Sequence, residues 1–321
     1  MSIRFLWHRI TNLLRAAFSY ALSLIGIVRV HHGPTFVSIE PANFCQLHCP
    51  ECPVGQRDSK SSQHTILALD SFKHILEQVQ AYCHTIQFFF QGEPLLNPNL
   101  PQMIALAHQR GIYTIVSTNA QLLTPLMAQQ LLEAGLSRII VSIDGMSEDS
   151  YRAYRVGGSL HKALDGLTFL RQAKDQLHAR THIELQVLRL RSNEHEWKAM
   201  KRQYQTMGAD SLTFKTAQLY DYKHGNSLMP TNARYSRYTR QKDGTYNLKH
   251  PHTHSCHRLW TGAVITTTGE LLPCCFDKAK QFSYGNVFEQ PLITLYQSEK
   301  ANHFRRQLLQ SKFNLSICQN C

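Results

Sequence analysis

From residue 35 onward the sequence alternates short strand-like runs with longer segments of helical periodicity. This alternation restricts the fold more than any other feature. Strands are expected over residues 35–39, 85–90, 112–117, 138–143, 181–190 and 211–214. Helices are expected over 70–82, 100–110, 125–134, 160–176 and 194–207. Phe72, Ile75, Leu76 and Val79 fall at helical spacing, and Gly111, Gly135 and Gly208 follow three of the helices as C-caps. Alternation of this kind implies an α/β fold with a parallel sheet covered by helices. Six units fall short of the eight in a closed barrel, so a partial (β/α)6 TIM-like barrel is expected, with its chemistry at the C-terminal strand ends. Polar and glycine motifs stand at those ends: Cys45 to Cys52, Gly92-Glu93, Thr118-Asn119, and Asp144-Gly145.

The expected division is a basic and apolar helical segment over 1–34, the barrel over 35–220, a polar linker over 221–255 and a small cysteine-bearing unit over 256–321. The last begins with a hairpin signature, Thr268-Gly269 between apolar runs. The formal charge of +12 would suit an anionic substrate, nucleic acid or an anionic membrane. Nucleic acid is not favoured, because no aromatic-interleaved basic stretch is present. Residues 1–30 place Arg4, Arg9 and Arg15 before an apolar run, Ala16 to Val28, which is 13 residues long and short of the roughly 20 that span a bilayer. No small-residue cleavage site follows it. A helix on the barrel, or one making peripheral membrane contact from a cytoplasmic protein, is expected instead.

Nine cysteines in 321 residues are too few for a disulfide scaffold, and their clustering reads as metal ligation. Cys45, Cys49 and Cys52 form C-x3-C-x2-C. Three thiolates within eight residues can hold three irons of a [4Fe–4S] cube and leave one iron open to a substrate. Zinc, with His48 or a distant group as fourth ligand, is the competing reading.

The C-x3-C-x2-C loop after the first strand of a six-strand partial barrel resembles the radical S-adenosylmethionine (SAM) superfamily. Gly92-Glu93-Pro94 is similar to its second motif, with Gln91 where a first glycine is usual. The resemblance implies that Gly92 and Glu93 meet the SAM amino group. Thr118-Asn119 resembles the Thr-Asn-Gly stretch near the ribose, although Ala120 replaces the glycine. Ser142, Asp144 and Arg155 resemble the positions that recognise the methionine carboxylate and the ribose. An arginine fork beside a hydroxyl suits a carboxylate.

Cys256, Cys274, Cys275, Cys318 and Cys321 fall in a region that resembles the SPASM/twitch extension, which binds auxiliary clusters. Five cysteines allow one auxiliary [4Fe–4S] cluster, assigned to Cys256, Cys274, Cys318 and Cys321, with Cys275 the alternative to Cys274. His250, His252, His254 and His257 crowd Cys256 and could bind zinc. Asp277 is a candidate general base by analogy. Lys215 and Tyr220 are candidates for touching substrate, and Cys275 or Cys83 for donating a hydrogen atom; Cys83 reads otherwise as a small buried hydrophobe.

The resemblance implies an oxidoreductase or maturase. Such an enzyme cleaves SAM reductively, takes its electron from a flavodoxin or ferredoxin, and oxidises or crosslinks a peptide or small polar metabolite. The short N-terminal segment argues against a built-in leader-peptide domain. The rivals are a non-catalytic iron–sulfur electron-transfer protein, against which Gly92-Glu93 and Arg155 count, and a zinc-containing nucleic-acid-binding protein.

Overall fold

The computed structural model describes residues 3–56, 63–249 and 256–321. Six parallel strands run in sequence order: β1 (Phe36–Ile39), β2 (Thr85–Phe88), β3 (Tyr113–Thr118), β4 (Arg138–Ser142), β5 (His182–Arg189) and β6 (Ser211–Thr216). They are covered by α2 (Leu69–Val79), α3 (Leu100–Gln109), α4 (Pro125–Glu133), α5 (Glu148–Arg152), α6 (Leu160–Gln176) and α7 (Trp197–Gln203). The expected partial barrel is therefore present. Its core is apolar and continuous, with Phe72, Ile75, Leu76 and Val79 of α2 all buried. Removing such residues from water supplies most of the favourable free energy of the fold.

The helix expected over 194–207 is shorter than its periodicity suggests. Asn193, just ahead of it, delays its start to Trp197: its Oδ1 accepts from Leu190 N and Trp197 Nε1, while its Nδ2 donates to the carbonyls of Asp144 and Leu188. A buried amide with four partners overrides local helical preference. It also holds the loop after β4 against β5, next to the strand-end motifs. In the stretch expected to be an irregular linker, β7 (Tyr238–Arg240) and β8 (Tyr246–Leu248) form an antiparallel hairpin around Gly244, φ 85°. Asp243-Gly244 is a hairpin signal that the polar composition obscured.

The cysteine-bearing unit extends the barrel sheet. After the short α8 (Arg258–Thr261), β9 (Gly262–Ile265) pairs in parallel with β1, Phe36 opposite Gly262. It then turns through Gly269 into antiparallel β10 (Glu270–Leu272), which pairs with β11 (Gly285–Asn286). Phe36 leaves no room for a side chain at Gly262, where an added Cβ would fall 2.1 Å from its ring. One nine-stranded sheet results, and α9 (Leu292–Gln297) and α10 (Glu299–Gln310) share the barrel's core. Continuous hydrogen bonding of this kind couples the two cysteine regions mechanically.

The N-terminal segment is a helix, α1 (Ile3–Ser23), packed across the end of the barrel where the strands begin. The Arg9 guanidinium donates to the carbonyls of Gln80, Arg110 and Gly111, which precede β2 and β3. Asn12 clasps Gly33, ahead of β1, through both its amide donor and its carbonyl. Tyr20 packs on Trp260, ahead of β9. Among the described residues no helix is long and apolar enough to cross a membrane.

Candidate active site

At the opposite end, where β1 to β6 finish, the strand termini surround a cavity of about 450 Å³. Cys45, Cys49 and Cys52 line it together with Gly92, Glu93, Thr118, Asn119, Ser142 and Arg155, so the first cysteine set and the SAM motifs share one space. The cysteine loop is clamped from two sides. Glu93 N donates to Phe44 O (2.9 Å), and His48 N donates to Val156 O (2.9 Å). Gly92 is needed for this approach, because a Cβ there would lie 2.1 Å from Ala42 O.

Glu93 is buried and ties strand ends together. Its carboxylate accepts from Thr118 Oγ1 (2.6 Å), Asn119 N (2.9 Å) and Leu95 N (3.2 Å). Burial pushes its pKa up, against the pull of these donors. An arriving ammonium group would reverse that shift. Asn119 turns toward the cysteine loop, where its Nδ2 donates to Cys45 Sγ (3.4 Å) and its Oδ1 accepts from Gln46 Nε2 (3.1 Å). Ala120 sits in the left-handed region at φ 63°, which explains why a glycine would be comfortable there.

Arg155 lines the cavity and is 15% exposed, with its Nε donating to Asp144 Oδ2 at 2.7 Å. Asp144 is fully buried, and its other oxygen accepts from Leu188 N (2.6 Å). Asp144 therefore does not face the cavity. It holds the guanidinium, which also reaches the Cys49 thiol, and the expectation that it contacts the cofactor is replaced by a positioning role.

The second cysteine set is assembled from separate stretches. Cys256, Cys274, Cys275, Cys318 and Cys321 line a cavity of about 230 Å³ beside Arg237 and Lys312. A third cavity, about 210 Å³, lies between the two sites and is lined by Phe90, Arg258, Cys274, Cys275 and Lys278. Cys275 touches Phe90, Val264 and Leu272 on the barrel side, whereas the Cys274 thiol feels Cys256 and Cys318. Cys274 and Cys275 both line the second-set cavity and the third cavity, and Phe90 and Lys278 of that third cavity also line the barrel mouth.

Both sets suit iron–sulfur ligation by their donor chemistry. Burial, then neighbouring thiols and carboxylates, drives Cys45 up to about 12 and raises Cys49. Cys318 is likewise pushed to about 12 by burial, and Cys256 and Cys274 are raised. Clustered thiols that penalise one another's ionisation are relieved by a bound cationic metal, which displaces their protons. Among the described residues no group of His, Cys, Asp and Glu converges on a single-ion position. His250, His252 and His254 lie outside the described residues, and His257 packs against the edge of Tyr20.

Two further expectations change. Asp277 is buried with its oxygens accepting from Gln281 N (2.8 Å) and Phe282 N (2.9 Å), so it orders the loop after Cys275 and is not placed as a general base. Cys83 is fully buried ahead of β2, donating to Thr85 O, and is too remote to give a hydrogen atom at the cavity. Lys215 and Tyr220 do line the mouth.

Glu51 and Lys278 also line the mouth cavity, although no sequence motif marks them. Glu51 accepts from Tyr220 N and Asn226 Nδ2, fastening the segment after β6 to the cysteine loop. Lys278 donates to Phe90 O (3.1 Å) with its ammonium 4.5 Å from the Phe90 ring centre, and burial lowers its pKa. Its position three residues after Cys275 was the available signal.

Residues 39–183 match the model of the radical SAM superfamily, and residues 256–321 match that of an iron–sulfur cluster-binding domain, SPASM. The chain belongs to the radical SAM superfamily. This radical SAM chain is 28% identical over 148 residues to the AdoMet-dependent heme synthase of Methanosarcina barkeri, a match covering 46% of the chain and 42% of the relative. It is 28% identical over 213 residues to the PqqA peptide cyclase of Bradyrhizobium diazoefficiens, covering 64% of the chain and 53% of that relative. The chain thus spans about half the length of these curated relatives. In fold it is similar to Streptococcus suis SuiB bound to precursor peptide SuiA, with TM-score 0.65, 14% identity, and coverage of 96% of this chain and 80% of that one. Membership implies a SAM-binding [4Fe–4S] cluster, an auxiliary iron–sulfur cluster and SAM as the cofactors of this radical SAM protein.

Proposed function

We propose that this chain is a radical SAM oxidoreductase or maturase that oxidises or crosslinks a peptide or small polar metabolite, with one auxiliary cluster as electron acceptor. One observation carries the reading: Cys45, Cys49, Cys52, Glu93, Asn119 and Arg155 share the barrel-mouth cavity, and a smaller cavity lined by Phe90, Lys278, Cys274 and Cys275 lies next to it on the side of the second thiol set. In this reading Cys45, Cys49 and Cys52 hold the first cluster, and Cys256, Cys274, Cys318 and Cys321 the second. When bound, the first cluster and SAM supply reductive cleavage of the sulfonium bond and a hydrogen-abstracting 5′-deoxyadenosyl radical.

The chain's own residues do the rest. Glu93, held by Thr118 and Asn119, receives the amino group of SAM, and Arg155, held by Asp144, receives its carboxylate, with Ser142 beside it. Lys215, Tyr220 and Lys278 face the remaining space and orient the substrate. A buried carboxylate and guanidinium, each fixed by neutral or charged partners, bind a zwitterion without reorganising. The peptide cyclase relative favours a peptide substrate. A flavodoxin or ferredoxin in the cytoplasm is the proposed source of electrons.

The test is anaerobic incubation of the reconstituted chain with dithionite and SAM, measuring 5′-deoxyadenosine. Wild type should exceed the Cys45→Ala, Cys49→Ala, Cys52→Ala triple variant. Equal amounts from the two, with the cluster intact in wild type, would end the proposal.

A further inference from the structure

The helix α1 is inverted in its polarity. The face it turns to the barrel carries Arg9, Asn12, Ser19 and Ser23, all buried, with Ala16 among them. Each polar group on that face is spoken for: Arg9 and Asn12 as described above, Ser19 by Arg29 O and Ser23 by Tyr20 O. The opposite face presents Leu6, Trp7, Ile10, Leu13, Leu14 and Phe18, with Trp7, Leu14 and Phe18 each more than 60% exposed (64%, 65% and 62%). These residues recur at the three- and four-residue spacing of a single helical stripe. The turn after the helix continues the stripe with Leu24 and Ile25, 60% and 72% exposed. A helix whose polar face is inside and whose apolar face is outside has not been placed by burial of its own apolar surface. That surface is available to something else.

Charge selects the occupant. None of the first 39 residues is acidic. His8, Arg15, Arg29 and His31 are exposed around the apolar stripe. An apolar stripe with the exposed cations Arg15 and Arg29 beside it and no acidic residue near it in sequence, on a helix roughly 30 Å long that does not cross a bilayer, matches the physics of interfacial helices on anionic lipid. We propose that α1 and the turn after it seat this protein on an anionic membrane surface. The anchoring contacts of α1 lie where the strands begin, and the cavity of Cys45, Cys49 and Cys52 lies where they end. Seating by α1 therefore points the barrel mouth away from the lipid, toward a water-borne substrate. This inference stands independently of the radical reading.

Flotation of the cluster-loaded 321-residue chain with vesicles tests it. Phosphatidylcholine vesicles containing 30 mol% phosphatidylglycerol should carry at least tenfold more protein than pure phosphatidylcholine ones. The Leu14→Glu, Phe18→Glu double variant, altered only at exposed positions, should keep the wild-type circular dichroism and lose that binding at least tenfold. Hydrogen exchange should slow on vesicles in residues 24–28 and stay unchanged in residues 215–222 at the mouth. Equal flotation of the variant and wild type, or none of either, overturns the seating. Light scattering that shows a wild-type dimer and a monomeric variant, without vesicle binding, assigns the face to a second copy instead and equally overturns it. Slowed exchange at residues 215–222 overturns the orientation.

Discussion

The two cysteine regions differ in how they are built. Cys45, Cys49 and Cys52 come from one eight-residue loop, opening on a cavity whose other walls are a carboxylate, an amide and a guanidinium. Cys256, Cys274, Cys318 and Cys321 come from three stretches of chain and line a smaller cavity with apolar and cationic neighbours. A loop that supplies three thiols leaves a metal position for a small molecule. Four thiols gathered from distant positions close a site and bind the chain to itself. Under the proposed function the first arrangement serves binding and chemistry, and the second electron transfer.

The largest expected effect breaks the comparison directly. The Cys45, Cys49, Cys52 triple alanine variant should lose 5′-deoxyadenosine formation at least a hundredfold while keeping about four of about eight irons per chain. Cys318→Ser with Cys321→Ser should lose the other half of the iron, yet cleave SAM within several-fold of wild type. Iron and sulfide analysis beside product quantitation checks both. Equal loss of cleavage in the two variants would erase the proposed division of labour.

Next in size is Arg155→Met. It leaves the fully buried Asp144 without its ion-pair partner, a change that costs about 3–5 kcal/mol when a buried pair is broken on one side. Denaturant unfolding should show that loss, and calorimetry should show weaker SAM binding. Cys318→Ala in the closed site leaves no unpaired charge, so its apo-protein stability should fall by less.

His32 tests the seam between β1 and the C-terminal unit, at the end of the sheet away from Cys45, Cys49 and Cys52. It precedes β1, its ring packs on Tyr296, and its carbonyl accepts from Gln297. Burial holds its pKa down at about 4, from 6.5. The unfolded chain takes up the proton below about pH 6.5 and the folded chain only near pH 4. Stability therefore falls as pH drops through that window, by about 3 kcal/mol, and is flat above it. His32→Gln should flatten the pH dependence of urea midpoints between 6.5 and 4.

The smallest effect concerns Ala120, beside the first set. At φ 63° an alanine is strained. Ala120→Gly should raise stability by about 1 kcal/mol, the strain relief being partly offset by a more flexible unfolded chain, as thermal melting would record.

Much of this was legible in the sequence where the signal was local. The six strands, the cysteine loop and Glu93 all sit in short runs whose spacing carries their meaning. The parallel pairing of β9 with β1 was not legible, because residues 36 and 262 meet only in three dimensions. Nor was the loss of the first turn of the helix before Trp197, which depends on the tertiary bonds of Asn193 to Asp144 and Leu188. Asp144 and Asp277 show the same limit. Both stand next to motif residues, and only their hydrogen bonds reveal that one positions an arginine and the other a loop. The inverted polarity of α1 was hidden because a buried arginine and an exposed tryptophan reverse the usual inference from composition.

The central claim is that one cysteine site is open to SAM and the other closed. Electron paramagnetic resonance of the dithionite-reduced chain, recorded with and without SAM, tests it most directly. SAM should shift the cluster signal of the Cys318→Ser, Cys321→Ser variant, which keeps only the first set, and leave unchanged that of the Cys45, Cys49, Cys52 triple alanine variant, which keeps only the second. A SAM-dependent shift in the triple variant, or none in the other, would contradict the account.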